Sequence, residues 1–172
     1  MSRLVPLRFP ASFVVARGLP TGAELGYGFR EGWLDRRNVV EVALAKYKAG
    51  VVLVPAEEEL ALLLSDELDR VEDLAASLEF SDEPDERRAR FWLFLALAWL
   101  LEHRSEYDNP LRVIEMLWTD FGYPDEIRNL IGFVPAEPGE LIGTEAIECR
   151  WRATMSNGCG PNTRGGIQPR TS

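Results

Sequence analysis

FWLFLALAWLLEHRSEYDNPLRVIEMLWTDFGYP, residues 91–124, is the stretch on which the fold turns. It opens with eleven uninterrupted apolar residues, Phe91 to Leu101, closed off by Glu102, His103 and Arg104. That run is too short to cross a bilayer, which takes about 20 residues. A helix apolar on every side has to be enclosed by other elements. The segment from about Asp85 to His103 therefore reads as the buried central helix of an all-α domain. Its first turns are polar, and Trp92 and Trp99, seven residues apart, share a face.

The second half of the stretch reads as another helix. Asn109 is its N-cap and Pro110 takes the first helical position. Leu111, Ile114, Leu117 or Trp118, and Phe121 fall on the inner side. Gly122 is the expected left-handed stop, and Pro124 starts a further short helix, Asp125 to Ile131. The structural reading of this corner packs Phe121 and Tyr123 inward. The functional reading is an exposed acidic-aromatic patch of Asp120, Tyr123, Asp125 and Glu126, suited to a protein interface.

Towards the amino end, Ser65 to about Phe80 predicts a helix with Leu68, Val71, Leu74, Ala75 and Leu78 on one stripe. Pro55 opens the helix before it, with Glu57, Glu58 and Glu59 in a first turn that favours acids. Val51 to Val54 reads as a short strand or a buried connector. Arg36 to Ala49 predicts a helix capped by Asp35, with Val39, Val40, Ala43, Leu44 and Tyr47 inside and Gly50 as its stop. Thr21 and Glu24 form a capping box for a helix that Gly26 and Gly28 weaken. Residues 1–20 read as an extended arm, within which Ser12–Ala16 is either a short strand or more of the arm.

After Pro135 the pattern fades, although Leu141, Ile142, Ile147 and Trp151 are still candidates to pack on the core. The last stretch, TMSNGCGPNTRGGIQPRTS, has almost nothing to bury and predicts disorder. The chain thus divides into an arm (1–20), a helical domain (21–152) and a tail (153–172).

A length of 172 residues suits a single domain, and 46% hydrophobic residues supply a core. Arg outnumbers Lys 17 to 2, the coding bias of a GC-rich bacterial genome. Arg3 precedes Pro6, Arg8 and Pro10, which break any apolar signal core. The expected compartment is therefore the cytoplasm, and in that reducing setting Cys149 and Cys159 are expected as free thiols. All 28 acidic residues lie in 21–148 against 12 basic ones, giving that region about −16. Nucleic acids and anionic membranes require a basic face, so neither is an expected partner. A basic protein partner is compatible with the charge.

Catalytic and metal chemistry find little support. His103 is the only histidine, and zinc sites combine several His or Cys. It reads as a helix-terminal residue against Trp99, with a general base oriented by Asp108 or Asp120 as the alternative. The acidic clusters sit mostly at helix starts, where capping explains them. No phosphate loop, dinucleotide fingerprint or nucleophile elbow is present, so no cofactor or metal is expected.

EGWL (31–34), FWLFLALAWLLEHRSEYDNPLRVIEMLWTDFGYPDEI (91–127) and GFVP (132–135) together resemble the bacterial family known as domain of unknown function 2247. The resemblance covers roughly residues 20–140, with Asp120–Pro124 its most specific part. It carries over no activity, cofactor or site residue. Small bacterial families of this kind include many toxin-immunity proteins, which is an analogy only. The expected function is accordingly a non-enzymatic acidic protein-binding module, of the toxin-immunity type. The alternatives are a carboxylate-dependent hydrolase, with His103 as a candidate participant, and a structural subunit of a homo-oligomer.

Overall fold

The computed structural model describes residues 4–79, 82–131, 147, 149, 151–153 and 155. Among these residues the regular elements are all helical. In chain order they are α1 (Ala11–Arg17), α2 (Gly22–Arg30), α3 (Arg36–Lys48), α4 (Pro55–Leu62), α5 (Val71–Leu78), α6 (Asp85–Glu102) and α7 (Pro110–Asp120). Short 3-10 turns lie at Leu68–Arg70, Arg104–Glu106 and Asp125–Leu130.

α6 is the buried axis. Every residue from Phe91 to Leu97 is buried, and so is Leu100. α2 lies against both α5 and α6, α3 pairs with α4, and α7 packs on α6. Trp151 closes one side, donating its indole N–H to the Leu97 carbonyl at 3.2 Å. Met155, within the segment expected to be disordered, is helical and packs on the core. The rest of that segment, like Leu141 and Ile142, lies outside the described residues.

The caps follow local chemistry. Thr21 accepts from the Glu24 N–H at 3.2 Å and donates its own N–H to the Glu24 carboxylate at 2.8 Å. Asp35 and Asn109 accept from Asn38 and Arg112 in the same way.

The glycines of α2 serve packing. A Cβ at Gly28 would fall 2.0 Å from the Trp92 ring, and one at Gly26 would fall 2.9 Å from the Ala75 carbonyl. The bare backbone of α2 thus lets the fully buried Trp92 ring lie directly on it. The Trp92 indole N–H donates to the Glu24 carbonyl at 2.8 Å, so its one polar atom is satisfied. Helix propensity lost at these glycines is about 1 kcal/mol each. Arg30 ties the far end of α2 to its neighbours, pairing with Glu79 at 3.1 Å and Asp85 at 3.4 Å. Burial works against its charge, but the acids around it prevail and hold its pKa above the usual value.

Several expectations need correction. Ser12–Ala16 is not a strand but part of α1. A strand needs a neighbouring strand. Here the first N–H of α1, at Ala11, instead finds the side chain of Asn38 on α3 at 2.9 Å, and Phe13 and Val14 bury against the core. Val51–Val54 is neither strand nor buried: Val52 is 96% exposed. The helix expected from Ser65 begins only at Val71, after an extended Leu63 and a 3-10 turn. On α3 the inner face includes Lys46, while Tyr47 is exposed. Lys46 Nζ reaches Glu57 Oε2 of α4 at 2.5 Å, and both side chains are almost wholly buried. Glu57 is therefore a core partner rather than an exposed first-turn acid.

Candidate functional site

The acidic-aromatic corner is built by the way α7 ends. Gly122 has φ +74°, and its N–H donates to the Thr119 carbonyl at 3.1 Å. The Tyr123 N–H donates to the Trp118 carbonyl at 2.8 Å. These are the paired bonds of a Schellman stop. Tyr123 and Trp118 supply the ring contact that accompanies such a stop, edge to face at 4.9 Å. The Trp118 indole N–H then donates to the Pro124 carbonyl at 3.1 Å, fixing the restart into Asp125–Leu130.

Tyr123 itself has φ +61°, a conformation that side chains rarely adopt. The residue is 58% exposed, which corrects the expectation that it packs inward. Phe121 does pack inward, stacked on Trp33 with centroids 5.3 Å apart and planes 5° from parallel. Trp33 also stacks on Trp92 at 5.5 Å. The motif EGWL and the corner, 87 positions apart between Trp33 and Asp120, thus meet in space.

The four residues singled out from sequence have separate fates. Tyr123 and Asp125 are exposed. Glu126 is exposed too and pairs with Arg90 of α6. Asp120 turns to the amino-terminal arm: its Oδ1 accepts from the Leu4 N–H at 2.9 Å and its Oδ2 from the Val5 N–H at 3.0 Å. From there residues 4–10 run as an alternating segment. Val5, Leu7 and Phe9 are buried, whereas Leu4, Pro6, Arg8 and Pro10 are exposed. The Phe9 N–H donates to the Trp33 carbonyl at 2.8 Å, and its ring lies among Phe13, Trp92 and Trp99.

The arm is held by a narrow margin. Burying each of its three apolar side chains contributes about 1.5–3 kcal/mol. Ordering its six residues costs about 1–2 kcal/mol apiece. These totals are of the same size, so hydrogen bonds to the charged Asp120, at about 1.5–3 kcal/mol each, tip the balance.

Beside the corner is a cavity of about 170 Å³. Leu93, Phe121, Ala89 and Pro124 give it an apolar lining, and Glu86, Arg90 and Glu126 supply charge. A cavity of roughly 150 Å³ takes a group as large as benzene. Of the four anticipated residues only Glu126 lines it. Glu86, Arg90 and Leu93 were not anticipated, yet the signal exists: 86, 89, 90 and 93 follow the spacing of one helical face.

His103 caps α6, its ring stacked on Trp99 at 3.9 Å and its Nδ1 2.9 Å from the Trp99 carbonyl. A carbonyl only accepts, so Nδ1 carries the proton. Cys149 is an exposed free thiol, and Cys159 lies outside the described residues. Among the described residues no group of three or more His, Cys, Asp or Glu is placed to hold a metal ion, and no helix is long and apolar enough to cross a membrane.

Residues 12–157 match the family model of uncharacterised proteins conserved in bacteria, DUF2247, and the chain belongs to that family. No curated protein and no solved structure matches it.

Proposed function

We propose that this DUF2247 protein is a non-enzymatic binding module that engages a basic protein partner at the corner formed by Tyr123, Asp125 and Glu126. The observation that carries this is the apolar-lined cavity with Glu86 and Glu126 beside it, next to a tyrosine ring held out in a strained backbone conformation. An apolar side chain of the partner fills the cavity, and a neighbouring Lys or Arg meets the carboxylates. A buried anchor with charges around it is the usual anatomy of an energetic centre in an interface. The acidic region, 28 acids against 12 bases, steers a basic partner towards the surface.

In its sharper form the partner is a bacterial toxin whose basic active site the module covers, and the two meet in the cytoplasm. The test is capture of partners from the native bacterium by the wild type and by an Asp125→Lys/Glu126→Lys variant, each at low and high salt. The expected result is a basic protein retained by the wild type at low salt and lost in the other arms. Recovery of nothing at low salt, or equal recovery by the variant, overturns the reading.

A further inference from the structure

We propose that the groove filled by residues 4–9 is a recognition site for an extended segment of a partner protein, and that these residues are its tethered competitor. The proposal stands on the geometry of the arm and does not need the corner to bind a basic partner.

The arm shows what the groove reads. At one end the Asp120 carboxylate accepts from two successive main-chain N–H groups, at 2.9 and 3.0 Å. At the other the Trp33 carbonyl accepts from the Phe9 N–H at 2.8 Å. All three contacts recognise backbone, which any extended segment offers, provided no proline stands at those positions. Between them Val5, Leu7 and Phe9 enter alternately while Pro6 and Arg8 face outward. Main-chain bonds for affinity and alternate pockets for specificity are how extended peptides are recognised generally. Asp120 and Trp33 lie inside the family-matched residues 12–157, and the segment that fills the groove lies outside them. The partner segment has apolar side chains at alternate positions and tolerates a basic residue between them, as Arg8 does.

A tethered segment competes at an effective concentration in the millimolar range, so the wild type hides the site. The test uses the full-length chain carrying Leu7→Asp, which unseats the arm. The probe is a fluorescent peptide with the sequence of residues 4–10, Leu-Val-Pro-Leu-Arg-Phe-Pro, acetylated at its amino end and read by anisotropy. It is expected to bind the variant at least roughly tenfold more tightly than the wild type, given that tethered competition. Adding Asp120→Ala is expected to weaken this binding by about tenfold or more, the size of one hydrogen bond to a charged group. Equal binding to wild type and variant, or binding indifferent to Asp120→Ala, overturns the proposal. So does a wild-type dimer that forms by exchanging arms, since the occupant is then a second copy.

Amide exchange in the wild type provides a readout that no variant can compromise. Leu4, Val5 and Phe9 are expected to exchange at least about a hundredfold faster than Leu95 in α6, as a locally opening segment does. Equal protection means that the arm leaves only when the whole domain unfolds, and the proposal fails.

Discussion

Lys46–Glu57 and Arg90–Glu126 each join a base on one helix to an acid on a later element, yet they do different work. The first pair is sealed, with side chains 3% and 4% exposed, and it locks α3 to α4. The second is open, at 54% and 35%, and stands beside a cavity. Burial, rather than pairing, separates them. A buried pair cannot lose one partner cheaply, because the other charge has no water to return to. An open pair gains little from its partner and can exchange it for a better one. The acidic composition therefore conceals two populations of carboxylates, one fixed in the interior and one available.

The sharpest way to break this contrast is Lys46→Met, which strands the Glu57 carboxylate. Denaturant unfolding is expected to show a loss of about 3–5 kcal/mol. Replacing both, Lys46→Met with Glu57→Leu, is expected to recover most of that loss, since an apolar pair of similar volume is often neutral. If the double variant is as unstable as the single one, the pair is not the source of the effect.

A second variant asks whether the close approach of α2 to α6 is as unforgiving as the sealed pair. Gly28→Ala places a methyl within 2.0 Å of the Trp92 ring. Overpacking of this kind costs about 1–3 kcal/mol, visible as a lowered Tm with a disturbed near-ultraviolet Trp signal. An unchanged Tm would mean that the ring moves aside freely.

The smallest effect belongs to the open pair. Glu126→Gln is expected to change stability by less than about 1 kcal/mol, as exposed ion pairs do. Partner capture, by contrast, should weaken. A stability loss as large as that of Lys46→Met would erase the distinction between the two pairs.

Sequence reading succeeded where the information is local. The Thr21–Glu24 box, the Asp35 and Asn109 caps, the Gly122 stop and the apolar run of α6 depend on residues a few positions apart, and all are present. It failed where a distant residue decides. Ala11 begins a helix because Asn38 receives its N–H from 27 positions away. Lys46 turns inward because Glu57 waits on the next helix, and Asp120 holds the arm because the arm arrives across 115 and 116 positions. None of these partners leaves a periodic trace. The alternation of Val5, Leu7 and Phe9 is a period of two and is local, so it is legible in the sequence. The Glu86–Leu93 wall of the cavity was legible in the same sense.

The meeting of α2 with Trp92 reaches beyond stability. The Cβ that Gly28 lacks and the indole of Trp92 claim the same volume. Substitutions at positions 28 and 92 are therefore expected to be coupled. A side chain gained at 28 is better tolerated beside a smaller ring at 92, and a smaller ring opens a void that a larger residue at 28 helps to fill. Variation at these two positions should be found as compensated pairs and rarely as single changes.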